Sequence, residues 1–404
     1  MITLLHSFTD PKHVSITPDK MLEHSIYVDG KPYFDLFAGH GCNMLGYTQP
    51  ELTQKIKEAN DTYANHSWLV KPKIWNDLEY YLESLLPPQY ENVIAGLTGS
   101  DSIDNAIKFV WKYWQNKGTP RKTILVRKGS FHSGSITGWK MTIDTMRWTK
   151  HIPDVNYVDF YDKDFNDVYE KHKEDVAGVI VDTVSWFNGI NKIDDETIKL
   201  LKRMQYLDHV PVIADEIITG FWRLGAFSHS LEIGLTPNII CFGKFSGGGF
   251  ADISLCVVDK FIMESVARNN DQGYPDPLPM GNTRSQNTSG AVACVEIIKH
   301  CMKHKMGDHI KQNIFPFVVE CASVLSECRG FNITFYGSML ICDFGENDVK
   351  DFLMKKGLWQ PSNSRMFFFP FYNITNQEKD HILKTFKELV NEIRKYISNW
   401  YTCT

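Results

Sequence analysis

The alternation of apolar and polar positions divides the chain into a regular succession of elements. Near the start, "SIYVDGKPYFDLFAG" alternates on either side of Asp29-Gly30 and predicts two strands joined by a tight hairpin. "PELTQKIKEANDTYAN" and "PKIWNDLEYYLESLL" follow with helical periodicity. "NVIAGLT" then predicts a strand, "SDSIDNAIKFVWKYWQN" a helix and "KTILVRKG" a strand. Within that helix Ile103, Ala106, Ile107, Val110, Trp111 and Trp114 fall on one apolar face. The rhythm continues through "VAGVIVDTV", "DETIKLLKRMQYL", "VPVIADEI", "NIICFGK" and "ISLCVV". Strands that are apolar throughout and alternate with helices imply an α/β chain with a mostly parallel sheet covered on both faces.

After about residue 300 the texture changes to mixed helices and strands, including "SMLICDF" and "RMFFFPFYNI". The expected organisation is a large domain over residues 51–300, with a smaller α+β domain over 301–404 that the N-terminal segment 1–50 joins.

Composition narrows the classes of function. With 43% hydrophobic and 23% charged residues, the 404-residue chain has an ordinary globular balance, and its formal charge of −5 provides no broad basic field for nucleic acid. Nine cysteines occur singly without a C-x-x-C pair, which speaks against a zinc or thioredoxin-type motif and for reduced thiols in a cytoplasmic protein. "MITLLHSFTDPKH" lacks the basic and apolar regions of a secretory signal, and no run of eighteen apolar residues predicts a membrane span. No metal site is expected.

The candidate chemistry lies where apolar strands end in charge. Asp215 closes "VPVIAD", and one strand later Lys244 closes "NIICFGK". A carboxylate at such a place is costly without a charged partner, and ligands of open α/β sheets bind beyond the carboxyl ends of the strands. The glycines after Lys244 do not make a Walker loop, since Asn238 occupies the first glycine position and Phe245 follows the lysine. Lys244 therefore reads as a reactive amine. A helix cap alone would explain "GLTGSDS", but Gly99 and Ser100 at a helix N-terminus also suit a phosphate. Phe131 and His132, in "VRKGSFHSGS", are placed to lay an aromatic face over a flat ring. A pyridine aldehyde bearing a phosphate accounts for all four features. Pyridoxal 5′-phosphate (PLP) would form a Schiff base with Lys244, have its ring nitrogen held protonated by Asp215, stack on Phe131 and bind phosphate at Gly99-Ser100.

"IADEIITGFWRLGAF" followed by "TPNIICFGKFSGGGF" resembles the aspartate and lysine signature of the class III (ornithine-type) aminotransferases of PLP fold type I. The resemblance runs over most of the chain, and "KYWQNKGTPRKTILVRKGSFHSG" and "HSFTD" are similar to diaminopelargonate (adenosylmethionine-8-amino-7-oxononanoate) aminotransferases. It implies a homodimer with two shared active sites, and small-molecule amine donor and carbonyl acceptor substrates. Lys244, Asp215, Gly99, Ser100, Phe131 and Arg223 match the family's residues, and Ile218 stands near the cofactor's ring hydroxyl. A residue of "GNTRSQNTSG" would reach the partner's phosphate; Gln286 aligns there, with Thr283, Ser285 and Thr288 beside it.

The substrate side departs from these relatives. His40-Gly41 replaces two tryptophans, Phe8 a tyrosine and Gly134 an aspartate. Gln360 and Phe367 stand near the positions of the relatives' carboxylate-binding arginines, and Phe187 replaces a glutamate. Arg284 and Arg365 are candidate replacements. The expected activity is therefore transamination with a non-standard amine or amino acid. Decarboxylation, aminomutation, racemisation or carbon–carbon lysis through the same lysine is the alternative, and a noncatalytic binding protein on the same scaffold is the third reading.

Overall fold

The structure is a computed structural model that describes residues 16–63, 66–67, 69–139, 141, 158–267, 278, 280–345 and 347–402. In chain order, β1 (Lys20–Leu22), β2 (Ser25–Val28) and β3 (Lys31–Asp35) form antiparallel hairpins. The β2–β3 loop is Asp29-Gly30, with φ of 50° and 73°, and Val28 pairs with Lys31 across it. Both loop residues adopt the left-handed conformation that a two-residue hairpin requires, as the Asp-Gly pair predicts.

Next come β4 (Tyr90–Gly96), β5 (Thr123–Arg127), β6 (Val158–Tyr161) and β7 (Val176–Val181), then a short hairpin of β8 (Val184–Ser185) and β9 (Asn191–Lys192). The strands β10 (Val212–Asp215), β11 (Ile239–Phe242) and β12 (Ser254–Asp259) complete a seven-stranded sheet of order β4-β12-β11-β10-β7-β5-β6. Every neighbouring pair from β11 to β6 is parallel, while β12 runs antiparallel to both β11 and β4. Each residue of β7, β10, β11 and β12 is buried, which explains their unbroken apolar runs.

Toward the C-terminus, β13 (Asn332–Tyr336), β14 (Met339–Asp343) and β16 (Arg365–Phe368) form a three-stranded antiparallel sheet. Between them in sequence, β15 (Leu358–Trp359) pairs in parallel with β3, opposite Phe34 and Asp35, and so ties the N-terminal hairpins to the C-terminal segment. Beside the large sheet, the helix Thr288–Lys303 packs on the helices Pro50–Thr62 and Ile74–Leu85.

The helix Gly99–Asn116 packs on β4, β7, β11 and β12 through Ile103, Ala106, Ile107, Val110 and Trp114, all buried. Trp111 stays half-buried, its indole N–H donating to the Lys122 carbonyl (3.0 Å). Thr98 caps the helix in a reciprocal box: its side chain accepts from Asp101 N–H, and the Asp101 carboxylate accepts from the Leu97 and Thr98 N–H groups (2.8 and 2.9 Å). That carboxylate is thus folded back on the preceding backbone, and the helix start is anchored where β4 leaves the sheet.

Truncating the seam between this helix and the sheet should loosen the whole large sheet. Ile107→Ala is expected to cost about 2–5 kcal/mol, read as a lower thermal unfolding midpoint. An unchanged midpoint would show that this face does not bear on the sheet as described.

Candidate active site

The carboxyl ends of the parallel strands supply one cleft. In register, Asp215 ends β10 opposite Cys241 of β11, and Lys244 lies three residues beyond Cys241. The Glu216 N–H donates to the Cys241 carbonyl (2.9 Å), which locks the two strand ends together. Lys244 opens a tight turn over Lys244–Gly247 with φ of 46°. A left-handed backbone at a non-glycine residue costs of order 1–3 kcal/mol and persists only where its surroundings impose it.

The neighbouring acids Asp215 and Glu216 separate completely. Glu216 turns away and is buried by the hydroxyls of Ser228 and Ser230 and by the N–H groups of His229 and Ser230 (2.7 and 2.9 Å). Asp215 keeps one oxygen on the Ile217 N–H (3.1 Å) and the other 2.8 Å from Nδ1 of the buried His132. Burial alone would push the His132 imidazole down, but the Asp215 hydrogen bond and charge, with Asp182 behind, outweigh it and raise it above the ordinary value.

The cleft encloses about 150 Å³ and is lined by Gly99, Ser100, Phe131, His132, Ser133, Asp182, Trp186, Asp215, Ile217, Ile218 and Lys244. The sequence-predicted residues Lys244, Asp215, Gly99, Ser100, Phe131, His132 and Ile218 therefore meet in one place. Gly99 is required there: a Cβ would lie 2.7 Å from the Ile217 Cδ1, and a Cβ on Gly243 would lie 3.2 Å from the Gly99 Cα. The Ser100 hydroxyl accepts from the Gly134 N–H (3.3 Å), leaving its own proton available to donate. Phe131 stacks on Phe187, ring centroids 5.4 Å apart.

These features fit a phosphorylated pyridine aldehyde. Among the described residues Lys244 has no hydrogen-bond or ion-pair partner, and its ammonium lies 5.2 Å from the centre of the Trp186 ring. Burial, the largest influence, lowers its pKa from 10.5, with Arg223 adding in the same direction and Cys42 and Asp215 opposing. A desolvated amine with a lowered pKa, a helix start with close backbone approach and a carboxylate in the same cleft are the donor set such a group needs.

The other candidates are placed elsewhere. Ser285, Gln286 and Thr283 line a separate cavity with Trp75 and Val93, where the Gln286 Oε1 is buried without a partner among the described residues. Thr288 meets His66 (3.0 Å). Arg284 is exposed, its backbone N–H on Asn282. Arg365 is held by Asp343 (2.8 Å) and the Phe187 carbonyl (3.3 Å). Gln360 is fully buried, with neither amide atom bonded within the described residues, and is not among the residues lining the cleft. The His40 ring sits 4.7 Å from Phe37, and partial desolvation by the surrounding protein together with the Lys244 charge pushes its imidazole down. Phe8 lies outside the described residues. Arg223 is buried under Gly41, to whose carbonyl it donates, and burial lowers it to about 10.

Four lining residues escape sequence reasoning, Ser133, Asp182, Trp186 and Ile217. Asp182 is buried, one oxygen accepting from Ser130 (2.7 Å) and the other without a partner among the described residues. Burial raises its pKa, against the charges of His132 and Arg127. The signal was present: Asp182 closes "VAGVIVD" as Asp215 closes "VPVIAD". Trp186, the residue directly after β8, gave no such sign.

The lowered Lys244 pKa means that the unfolded chain holds this proton more tightly than the folded one. The resulting loss of stability is full below the lowered value and vanishes as pH rises toward 10.5. In cofactor-free protein Lys244→Met should therefore raise the unfolding midpoint at neutral pH, by a margin that closes as pH approaches 10.5. A margin constant across that window would mean that the amine is not desolvated.

The profile of class III aminotransferases matches residues 13–390. An acetylornithine aminotransferase of Aquifex aeolicus is 28% identical over 224 residues, a span of 55% of this chain and 59% of that protein. Another acetylornithine aminotransferase, of Caldanaerobacter subterraneus, is 24% identical over 387 residues, covering 91% of this chain and 92% of its own. The crystal structure of an adenosylmethionine-8-amino-7-oxononanoate aminotransferase from Methanocaldococcus jannaschii superposes with a TM-score of 0.87 at 19% identity, over 96% of this chain and 97% of that one, which shows a common fold. The chain belongs to the class III aminotransferases and is a PLP-dependent transaminase of fold type I.

Proposed function

We propose that the cleft between Asp215 and Lys244 is the transamination centre, with Lys244 as the residue that holds the cofactor covalently and moves the proton. The observation that carries this reading is the desolvated, unpaired Lys244 amine facing the cleft that Asp215 also lines. PLP, when bound, supplies an electron sink that makes the donor's α-carbon acidic. Gly99 and Ser100 would hold its phosphate, and Phe131 would flank its ring. Asp215, oriented by His132 and the Ile217 N–H, would keep a proton on the ring nitrogen. Lys244, with its lowered pKa, returns easily to the neutral form that a proton carrier needs.

The donor we infer is an amine with an apolar body. Phe131 and Trp186 line the cleft with their rings 6.0 Å apart, and Trp186 lies 5.2 Å from the Lys244 ammonium, backed by the buried Phe37 and Phe369. Arg365, the nearest candidate for gripping an α-carboxylate, is already committed to Asp343. A guanidinium so engaged offers a substrate little bidentate geometry.

The chain acts, on this reading, as a homodimer in a reducing, cytoplasmic setting. The separate placement of Ser285 and Gln286, away from the Lys244 cleft of their own chain, supports a role across a subunit boundary. All eight described cysteines are free, and among the described residues no helix is long and apolar enough to cross a membrane.

Borohydride reduction of the cofactor-loaded protein, followed by peptide mapping, should place the label on Lys244. A label on another lysine would overturn the assignment. Without an acceptor, aromatic and alkyl amines should each release their carbonyl product once per active site. Trp186→Ala should lower kcat/KM for aromatic donors by roughly tenfold or more. With amino acids as donors instead, carbon dioxide release without a carbonyl product would replace transamination by decarboxylation.

A further inference from the structure

A larger cavity, of about 840 Å³, lies at the carboxyl ends of β5 and β6, between the β8–β9 hairpin and the start of the helix Asp195–Leu207. Its walls carry Arg127, Lys128, Lys163, Lys192, Lys199 and Arg203, although the chain as a whole has a formal charge of −5. Three acids also line it, Asp162, Asp194 and Glu196. Asp194 is occupied as a helix cap, accepting from the Thr197 N–H (2.7 Å). On the basic side, Arg203 is neutralised by Glu170. Lys128, Lys163 and Lys199 have no side-chain partner among the described residues, and Arg127 donates only to the Asn191 carbonyl (3.0 Å). The basic groups still outnumber the acids along these walls, and a concave wall concentrates their field.

A second observation points to a ligand. Tyr161 lines this cavity at 2% exposure, and its hydroxyl has no hydrogen-bond partner among the described residues. Its ring is held by stacking on Phe165, centroids 3.8 Å apart, so packing rather than hydrogen bonding fixes it there. A buried hydroxyl left unpaired is rare enough to need an explanation. An acceptor oxygen from a bound anion satisfies it, and the side chains of Ser185, Asn188, Asn191 and Thr197 supply further polar contacts. The volume suits a small metabolite.

The same walls reach the transamination cleft. Gly129 of this cavity packs on Asn188, where a Cβ would lie 3.2 Å from the Asn188 Cβ. The two loops that touch there carry Phe131 and His132 on one side and Trp186 and Phe187 on the other. Arg127 also acts on the buried carboxyl of Asp182, which lines the cofactor cleft.

We propose that this cavity is a second binding site, for a phosphate-bearing small polyanion, distinct from the phosphate turn at Gly99-Ser100 and placed to modulate the cleft. The site stands on its own residues, so its failure would leave the transamination reading intact.

The test uses cofactor-saturated protein titrated calorimetrically with ATP and, separately, with inorganic pyrophosphate. Saturable binding of one equivalent per chain is expected, weakening steeply with salt, with bound cofactor content unchanged by absorbance. Tighter binding of ATP than of pyrophosphate would mark a nucleotide; equal binding would mark the phosphates alone. The exposed pair Lys163→Glu and Lys199→Glu together should weaken binding by at least about tenfold, and Tyr161→Phe should weaken it less. The proposal is overturned if neither probe binds at low salt, if the double variant binds as tightly as the parent, or if the heat comes from displaced cofactor.

Discussion

The organisation of this molecule turns on placing an amine and a carboxylate, both desolvated, at the ends of two adjacent parallel strands. Neither Lys244 nor Asp215 belongs energetically at the edge of an apolar sheet. Asp215 is made tolerable by the Ile217 N–H and by His132. Lys244 is left without such help, and its proton is held less tightly as a result. That asymmetry is the structural point: the acid is fixed by its hydrogen bonds, while the amine is unpaired and its pKa is lowered by burial.

Several costs gather around this pair. Lys244 has a left-handed backbone, and the run Ala38, Gly39, His40 and Gly41 beneath it has φ values of 45°, 58°, 57° and 77°. Gly41 is pressed between Ile218, Arg223 and Phe369, where a Cβ would fall 3.1–3.5 Å from all three. Arg223 is fully buried with a backbone carbonyl as its described acceptor. Strain and buried charge of this kind survive because the surrounding sheets over-determine the backbone. The seven-stranded sheet and the β3–β15 pairing do so here, by bringing the N-terminal hairpins against the C-terminal segment.

The walls of the cleft divide by chemistry. The side toward Gly99, Ser100, His132 and Asp215 is polar and hydrogen-bonded, whereas Phe131 and Trp186 line the cleft with aromatic rings, Trp186 being backed by the buried Phe37 and Phe369. Beyond the Asp182 wall, the basic cavity around Arg127 and Tyr161 repeats the strand-end logic one step further along the sheet. Open α/β sheets collect ligands along this edge, because chain direction aligns loops and helix starts there.

Much of this was legible in one dimension. Unbroken apolar runs separated by amphipathic helices specify a covered parallel sheet, since no other arrangement hides both faces of such strands. Asp215, Lys244, Gly99 and Phe131 stood out because charge, glycine and aromatic residues at strand ends break a local pattern, and local patterns are what a sequence displays. The placement of Asp182 and Trp186 in the cleft wall, the engagement of Arg365 by Asp343 and the burial of Gln360 were decided by tertiary structure alone. Each depends on contacts between segments tens to hundreds of residues apart, and no periodicity or spacing along the chain encodes which distant side chain arrives opposite.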